Sequence, residues 1–298
     1  MTSGRVMLAG LMMMAAGLAR ATDGKPGQKA APTVTNLQER AVRSADGVTI
    51  RYESFGEGEP ALVLVHCWSC DRHLWDAVVP RLAKDRRVVT LDLAGHGESG
   101  SDRKEWTMPA FGEDVRAVVE ALHLRKVILA GHSMGGPVIL EAARLMPGRV
   151  VGLIPVDTGL NVDQANSPEE VAGIMAAFEK DYRATAEQFT RQYMFTPKSD
   201  PALIERIVAK NVAAPPEVAI PCLRAVLGYD ARPTLREVRV PSHALNADLH
   251  PTNVEANRRH FASYEVTLMP GVGHYLMLED PARFSELLAG IVSKLAAR

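Results

Sequence analysis

Five consecutive residues near the middle of the chain could position a nucleophile. Gly131, His132, Ser133, Met134 and Gly135 follow the pattern Gly-x-Ser-x-Gly, which places a serine on a sharp turn between a strand and a helix. Small residues are needed two positions before and after such a serine because the backbone there is crowded. The turn would expose the hydroxyl and place the Met134 N–H at a helix start, where developing negative charge is favoured.

The segments on both sides of this pattern fit the turn. Residues 126–130 form a short run, apolar after Lys126, that is typical of a strand covered on both faces. A helical pattern begins near Met134 and ends near Met146, before Pro147 and Gly148. The pattern alone would arise in about one in ten chains of this length at ordinary Gly and Ser usage, so this context carries the prediction of a nucleophile at Ser133.

A serine hydroxyl is a weak nucleophile without a neighbouring base. Among the nine histidines, His274 lies in a loop that follows the last predicted strand and contains Gly271 and Gly273. From that position a side chain can reach back to Ser133, and we therefore predict His274 as the base. His132 lies inside the turn, where we expect it to point away from the hydroxyl and pack beneath it.

The rest of the chain alternates between strands and helices. We predict strands at 39–44, 48–55, 61–65, 87–91, 126–130, 150–156, 240–246 and 264–269. We predict helices at 74–84, 108–122, 134–146, 253–260 and 281–297. This alternation indicates an α/β fold with a mostly parallel, doubly wound sheet and an antiparallel pair of strands at its start.

The alternation stops between residues 157 and 240. Four helical patterns occur there, at 168–182, 185–194, 201–211 and 216–227, and several begin with Ser, Asp or Pro start signals. We expect this insertion, at about 160–235, to form a helical cap over the carboxyl ends of the strands, where open α/β sheets bind their ligands.

In this order the motifs resemble those of the α/β-hydrolase family, from about residue 39 to the end of the chain. The resemblance rests on residues 66–70 after the third strand, 92–99 after the fourth, 131–135 at the turn and 273–274 after the last strand. It implies an α/β-hydrolase domain over residues 38–298 and a triad in the order serine, acid, histidine.

Two aspartates could supply the acid of this triad. Asp248 follows the strand after the insertion, the commonest acid position in the family, although the loop before it is shorter than usual. Asp157 follows the strand at 150–156, a position that other members use. We favour Asp248 and keep Asp157 as the alternative, and we expect the other aspartate to cap local backbone.

The resemblance also places an oxyanion hole at the backbone N–H groups of Trp68 and Met134. Cys67 stands where family members usually have glycine, which eases the turn of this loop. We expect Cys67 and Cys70 to be two small side chains rather than a disulfide. A thiol nucleophile at Cys67 is disfavoured because nothing places a base beside it.

Composition excludes some classes of partner. The formal net charge is −1 and aromatic residues make up 5% of the chain, which argues against a nucleic-acid surface. Residues 1–21 have a positive start, an apolar run and an Ala-x-Ala site, so we predict a signal peptide, export and a polar linker at 22–37. The apolar run is too short for a stable membrane anchor.

These observations predict an exported serine hydrolase whose partner is a small-molecule ester, with a small to medium apolar substrate and no metal or organic cofactor. A lactonase, a C–C bond hydrolase and a perhydrolase would use the same triad and remain alternatives. An alternative from a different class is a receptor-like protein that binds a small molecule without turning it over.

Overall fold

The computed structural model describes residues 38–298, so the predicted signal peptide and linker lie outside the described residues. Eight strands of this described part form one sheet. In chain order they are β1 (Gln38–Arg43), β2 (Thr49–Phe55), β3 (Ala61–Val65), β4 (Val88–Leu91), β5 (Val127–His132), β6 (Val150–Val156), β7 (Ser242–Ala247) and β8 (Tyr264–Met269). Their order across the sheet is β1-β2-β4-β3-β5-β6-β7-β8.

The sheet is mixed in the way that the sequence predicts. β1 pairs with β2, and β2 with β4, in antiparallel fashion. All the other neighbouring strands run parallel. Every residue of β3, β4, β5 and β7 is buried, as expected for strands covered on both faces. The carboxyl ends of the parallel strands therefore share one edge of the sheet.

The helices fall into two groups. Those outside the insertion are α1 (Val79–Leu82), α2 (Met108–Ala121), α3 (Gly135–Leu145), α9 (Val254–His260), α10 (Leu276–Glu279) and α11 (Pro281–Ala296). Those of the insertion, which we name the cap helices, are α4 (Pro168–Lys180), α5 (Tyr182–Tyr193), α6 (Pro201–Ala213), α7 (Pro216–Leu227) and α8 (Arg232–Glu237).

Local signals explain where the cap helices begin. Ser167 and Glu170 form a reciprocal capping box at the start of α4, and the side chains of Asp181 and Asp200 cap α5 and α6. Each cap satisfies a backbone N–H that the first helical turn leaves unpaired. No strand interrupts the described residues between β6 and β7, and the long helical insertion is confirmed.

One predicted helix was wrong. Residues 74–84 do not form a continuous helix; a 3₁₀ turn at Arg72–Trp75 is followed by the single turn of α1. Pro80 lies in the first turn of α1. Since proline has no N–H and its ring crowds the preceding turn, a helix that began at residue 74 could not continue through it. Among the described helices, none has both the length and the apolar character needed to cross a membrane.

The connection from β5 to α3 is too tight for larger residues. A Cβ added to Gly131 would lie 2.1 Å from the carbonyl oxygen of Gly135. One added to Gly135 would lie 2.7 Å from the carbonyl oxygen of Val65 on β3. Both glycines of the motif are thus required by packing.

We therefore expect Gly131→Ala to lower the free energy of unfolding by about 3 kcal/mol, the cost of overpacking a rigid site. The matched control is Gly290→Ala, because Gly290 lies inside α11 and an added Cβ would meet open space there. That change should raise stability by about 0.5–1 kcal/mol. Urea unfolding of the two variants checks both values, and equal effects would contradict the packing argument.

Candidate active site

Ser133 occupies a strained turn at the carboxyl edge of the sheet. Its φ is +53°, a left-handed conformation that is uncommon outside glycine. The Ser133 N–H donates to the carbonyl of Val156 at 3.0 Å, and its carbonyl accepts from Gly136 N–H at 2.9 Å. These bonds hold the turn against the end of β6 while the side chain stays partly exposed. Strain of this kind, fixed by its surroundings, often marks a functional position.

His274 lies in the loop after β8 and is paired with an aspartate. Its Nδ1 lies 2.6 Å from Oδ2 of Asp157, and only 12% and 4% of the two side chains are exposed. Since a carboxylate can only accept, Nδ1–H is the donor, and Nε2 keeps its lone pair in the neutral ring. This arrangement fixes the tautomer that a general base requires.

Asp157 is fixed by three hydrogen bonds, one from its backbone N–H and one to each carboxylate oxygen. It follows β6 directly, with φ at +46°. Its backbone N–H donates to the carbonyl of Leu245 at 3.0 Å. Its Oδ1 accepts from the N–H of Ala247 at 2.8 Å, which leaves Oδ2 for His274. A buried carboxylate with both oxygens satisfied is rigid and retains its orientation.

Asp248, the aspartate that the sequence favours, does not contact His274. Its side chain is exposed, and its Oδ1 accepts from the N–H of Gly271 at 2.8 Å. The physical reason is that the last residue of β7, Ala247, donates its N–H to Asp157, which holds Asp157 beside His274, whereas the Asp248 carboxylate is engaged by Gly271. The preference for Asp248 over Asp157 therefore disagrees with the geometry, and Asp248 has the backbone-capping role expected of the other aspartate.

The two predicted oxyanion donors lie on neighbouring strand ends. β3 and β5 are adjacent, with Val65 opposite Gly131, so the loop after β3 lies beside the turn of Ser133. Within the described residues, the backbone N–H groups of Trp68 and Met134 donate no hydrogen bond. Free N–H groups beside a nucleophile are available to an oxyanion.

Cys67 does not prevent the loop from turning. The N–H of Cys70 donates to the carbonyl of Cys67 at 3.2 Å, and Ser69 has φ at +55°, so a tight turn spans residues 67–70. Both thiols are buried and unbridged. Burial raises the pKa of the Cys67 thiol well above its ordinary value, and a neutral thiol is a poor nucleophile.

Two buried histidines form hydrogen bonds with the backbone of loops at the site. His66 receives the N–H of Leu93 on Nε2 at 3.0 Å, and burial lowers its pKa to about 4. His132 donates from Nε2 to the carbonyl of His274 at 2.8 Å, and burial holds its pKa well below the ordinary value. Both rings are therefore neutral at physiological pH and act as supports.

The cap helices cover the Trp68 side of the site. The Trp68 indole N–H donates to the carbonyl of Ala219 on α7 at 2.7 Å. Its ring makes edge contacts with Phe178, Tyr182 and Phe189 of α4 and α5, at centroid distances of 6.0, 6.3 and 6.5 Å. An apolar aromatic wall thus borders the predicted oxyanion donor. No group of His, Cys, Asp and Glu in the described part of the chain could hold a metal ion.

Two known proteins are similar to this chain over most of its length. A pimeloyl-[acyl-carrier protein] methyl ester esterase of Nitrosospira multiformis is 29% identical over 80% of this chain and 95% of that protein. The solved structure of a thermophilic esterase from Thermogutta terrifontis superposes with a TM-score of 0.74 at 25% identity, covering 87% of this chain and 99% of that one.

A third relative matches only in part. The dihydrolipoyllysine-residue acetyltransferase component of the acetoin cleaving system of Pseudomonas putida is 35% identical over 54% of this chain, which spans 41% of that protein. The family model described as "Alpha/beta hydrolase family" matches residues 62–287, most of the chain. The chain therefore belongs to the alpha/beta hydrolase family.

Proposed function

We propose that this hydrolase is a serine esterase that cleaves a carboxylic ester through an acyl-enzyme. The observation that carries the proposal is the bond between His274 Nδ1 and Asp157 Oδ2, which leaves Nε2 as a base at the sheet edge where Ser133 is partly exposed. Asp157 replaces Asp248 as the acid of the proposed triad.

In the proposed mechanism, Ser133 Oγ attacks the ester carbonyl while His274 Nε2 takes its proton. Asp157 stabilises the imidazolium that forms and keeps the ring in orientation. The oxyanion accepts hydrogen bonds from the Trp68 and Met134 N–H groups, each worth roughly 3 kcal/mol of transition-state stabilisation. His274 then protonates the leaving alcohol, and water, activated by the same histidine, releases the acid and restores Ser133.

The cap supports an apolar substrate of limited size. The Phe178 ring contacts the rings of Tyr182 and Phe189, and all three contact Trp68, so they form a continuous wall. A wall of this kind favours an apolar group by burial and limits its length. We therefore propose esters with a small to medium apolar acyl or alcohol part.

The first prediction from this proposal concerns the nucleophile. The wild-type protein should react with a fluorophosphonate probe, since the oxygen of an activated serine attacks its phosphorus, expels fluoride and forms a stable phosphonate ester. Ser133→Ala should abolish labelling while leaving the folded state intact. Cys67→Ala is the matched control and should retain the label. Folded wild-type protein that resists the probe would instead support a receptor-like protein with an inactive site.

The second prediction compares the two aspartates. Asp157→Asn should lower kcat for ester hydrolysis on the order of 10⁴-fold, because an amide cannot stabilise the imidazolium and favours the wrong tautomer. Asp248→Asn should change kcat by less than about threefold, since its amide oxygen can still accept from Gly271. Steady-state kinetics on one soluble ester checks both. A large loss confined to Asp248→Asn would refute the assignment of Asp157.

The third prediction concerns acyl length. On a series of p-nitrophenyl esters, the wild type should prefer short to medium acyl chains. Phe189→Ala should move the optimum of kcat/KM to longer chains, because it removes a half-buried ring from the wall. An unchanged length profile in this variant would show that the wall does not contact the acyl group.

A further inference from the structure

The main chain of His274 is attached to the cap insertion. Its N–H donates to the carbonyl of Met194 at 2.8 Å, directly after α5. The neighbouring Tyr275 ring stacks on Phe195 with centroids 5.7 Å apart. Residues 194–199, which connect α5 to α6 and which we name the anchor segment, thus lie against the loop that carries the proposed base.

Glu279 joins the same two parts of the molecule with one carboxylate. Its Oε1 accepts the N–H of Gly273 at 2.8 Å, one residue before His274. Its Oε2 accepts the hydroxyl of Ser199 in the anchor segment at 2.7 Å. The Ser199 oxygen in turn accepts the N–H of Thr196 at 3.0 Å, so its proton is directed to Glu279. The two carboxylate oxygens therefore serve two different segments.

The packing at Gly273 shows how tightly this junction is closed. A Cβ at Gly273 would lie 2.6 Å from the carbonyl oxygen of Met194, 2.7 Å from Glu279 Oε1 and 3.0 Å from the Cα of Phe195. The His274 loop is therefore held between the anchor segment on one side and Glu279 on the other. A small shift of either would move His274.

Glu279 also shares the electrostatic environment of the proposed triad. Burial raises the pKa of Glu279, and the bonds from Ser199 and Gly273 oppose this rise. Asp157 raises the pKa of Glu279 further and His274 lowers it. The charges of Asp157 and His274 therefore affect the Glu279 side chain, but it forms a hydrogen bond with neither. It would act through the backbone of the loop.

We propose that Glu279 is a positioning residue that connects the His274 loop to the anchor segment by hydrogen bonds. The base is then correctly placed only while the anchor segment of the cap insertion is packed against this loop. This inference rests on the proposed function, because it concerns the base of the same reaction. Glu279, which lies outside the proposed triad, would thus couple the position of the cap insertion to the rate of ester hydrolysis. The glutamate sits two residues before Pro281 in a stretch that the sequence patterns do not single out.

The test compares variants of Glu279 in the full chain. Glu279→Ala should lower kcat about 10- to 100-fold with KM within about twofold, because misplacing a catalytic group affects the chemical step. Glu279→Gln should restore most of kcat, since its amide can accept from Gly273 and donate to Ser199. Glu286→Ala, an exposed glutamate on α11, is the control and should leave kcat unchanged.

A double-mutant cycle tests the link to the anchor segment. Ser199→Ala should lower kcat less than Glu279→Ala, and the two changes together should fall short of their summed effects, because they break one connection. Additive effects would overturn the link. If Glu279→Ala does not fold, Glu279→Asp replaces it, since its side chain is one methylene too short to reach both partners.

Amide hydrogen exchange gives a readout that does not need turnover. The Gly273 N–H should be protected in the wild type and lose protection in Glu279→Ala while the amides of β8 keep theirs. A variant with lower thermal stability but unchanged kcat and unchanged Gly273 protection would overturn the inference. Absence of probe labelling and ester turnover in the wild type would instead count against the proposed function, and exchange at Gly273 would still decide the positioning.

Discussion

The arrangement of the site depends on one buried hydrogen bond, between His274 Nδ1 and Asp157 Oδ2. Its two residues follow β6 and β8, which are separated by β7 in the sheet. Asp157 crosses this gap because its other oxygen accepts the N–H of Ala247 at the end of β7. The parallel register of three strands therefore sets the position of the proposed base, and a shift of any one would separate the pair.

The serine side of the site depends on close packing rather than on polar contacts. β5 lies between β3 and β6 in the sheet. The backbone at Gly131 and Gly135 is packed so closely that neither position has space for a Cβ atom. This contact forces Ser133 into its left-handed turn and brings the loop of Trp68 alongside. The cap helices contact Trp68 in two ways, by accepting a hydrogen bond from its indole N–H and by packing an aromatic ring against its ring. The backbone donors proposed for the oxyanion are consequently fixed by the core on one side and the cap on the other.

Much of the fold is predictable from local patterns, since buried parallel strands, helix caps and a glycine-bounded serine turn all leave short-range signals. The helix predicted at residues 74–84 is wrong because Pro80 prevents a continuous helix across this segment. The acid could not be chosen from the sequence, because both aspartates directly follow strands and the contact that distinguishes them joins residues 117 positions apart. Glu279 left no signal at all, since its two partners are 6 and 80 residues away.

The central claim is that Asp157 orients His274, and proton NMR of ¹⁵N-histidine-labelled protein tests it most directly. A strong Nδ1–H···O hydrogen bond moves its proton far downfield. The account predicts such a resonance for His274 in the wild type, its loss in Asp157→Asn and its persistence in Asp248→Asn. A resonance that survives Asp157→Asn and disappears in Asp248→Asn would contradict the account.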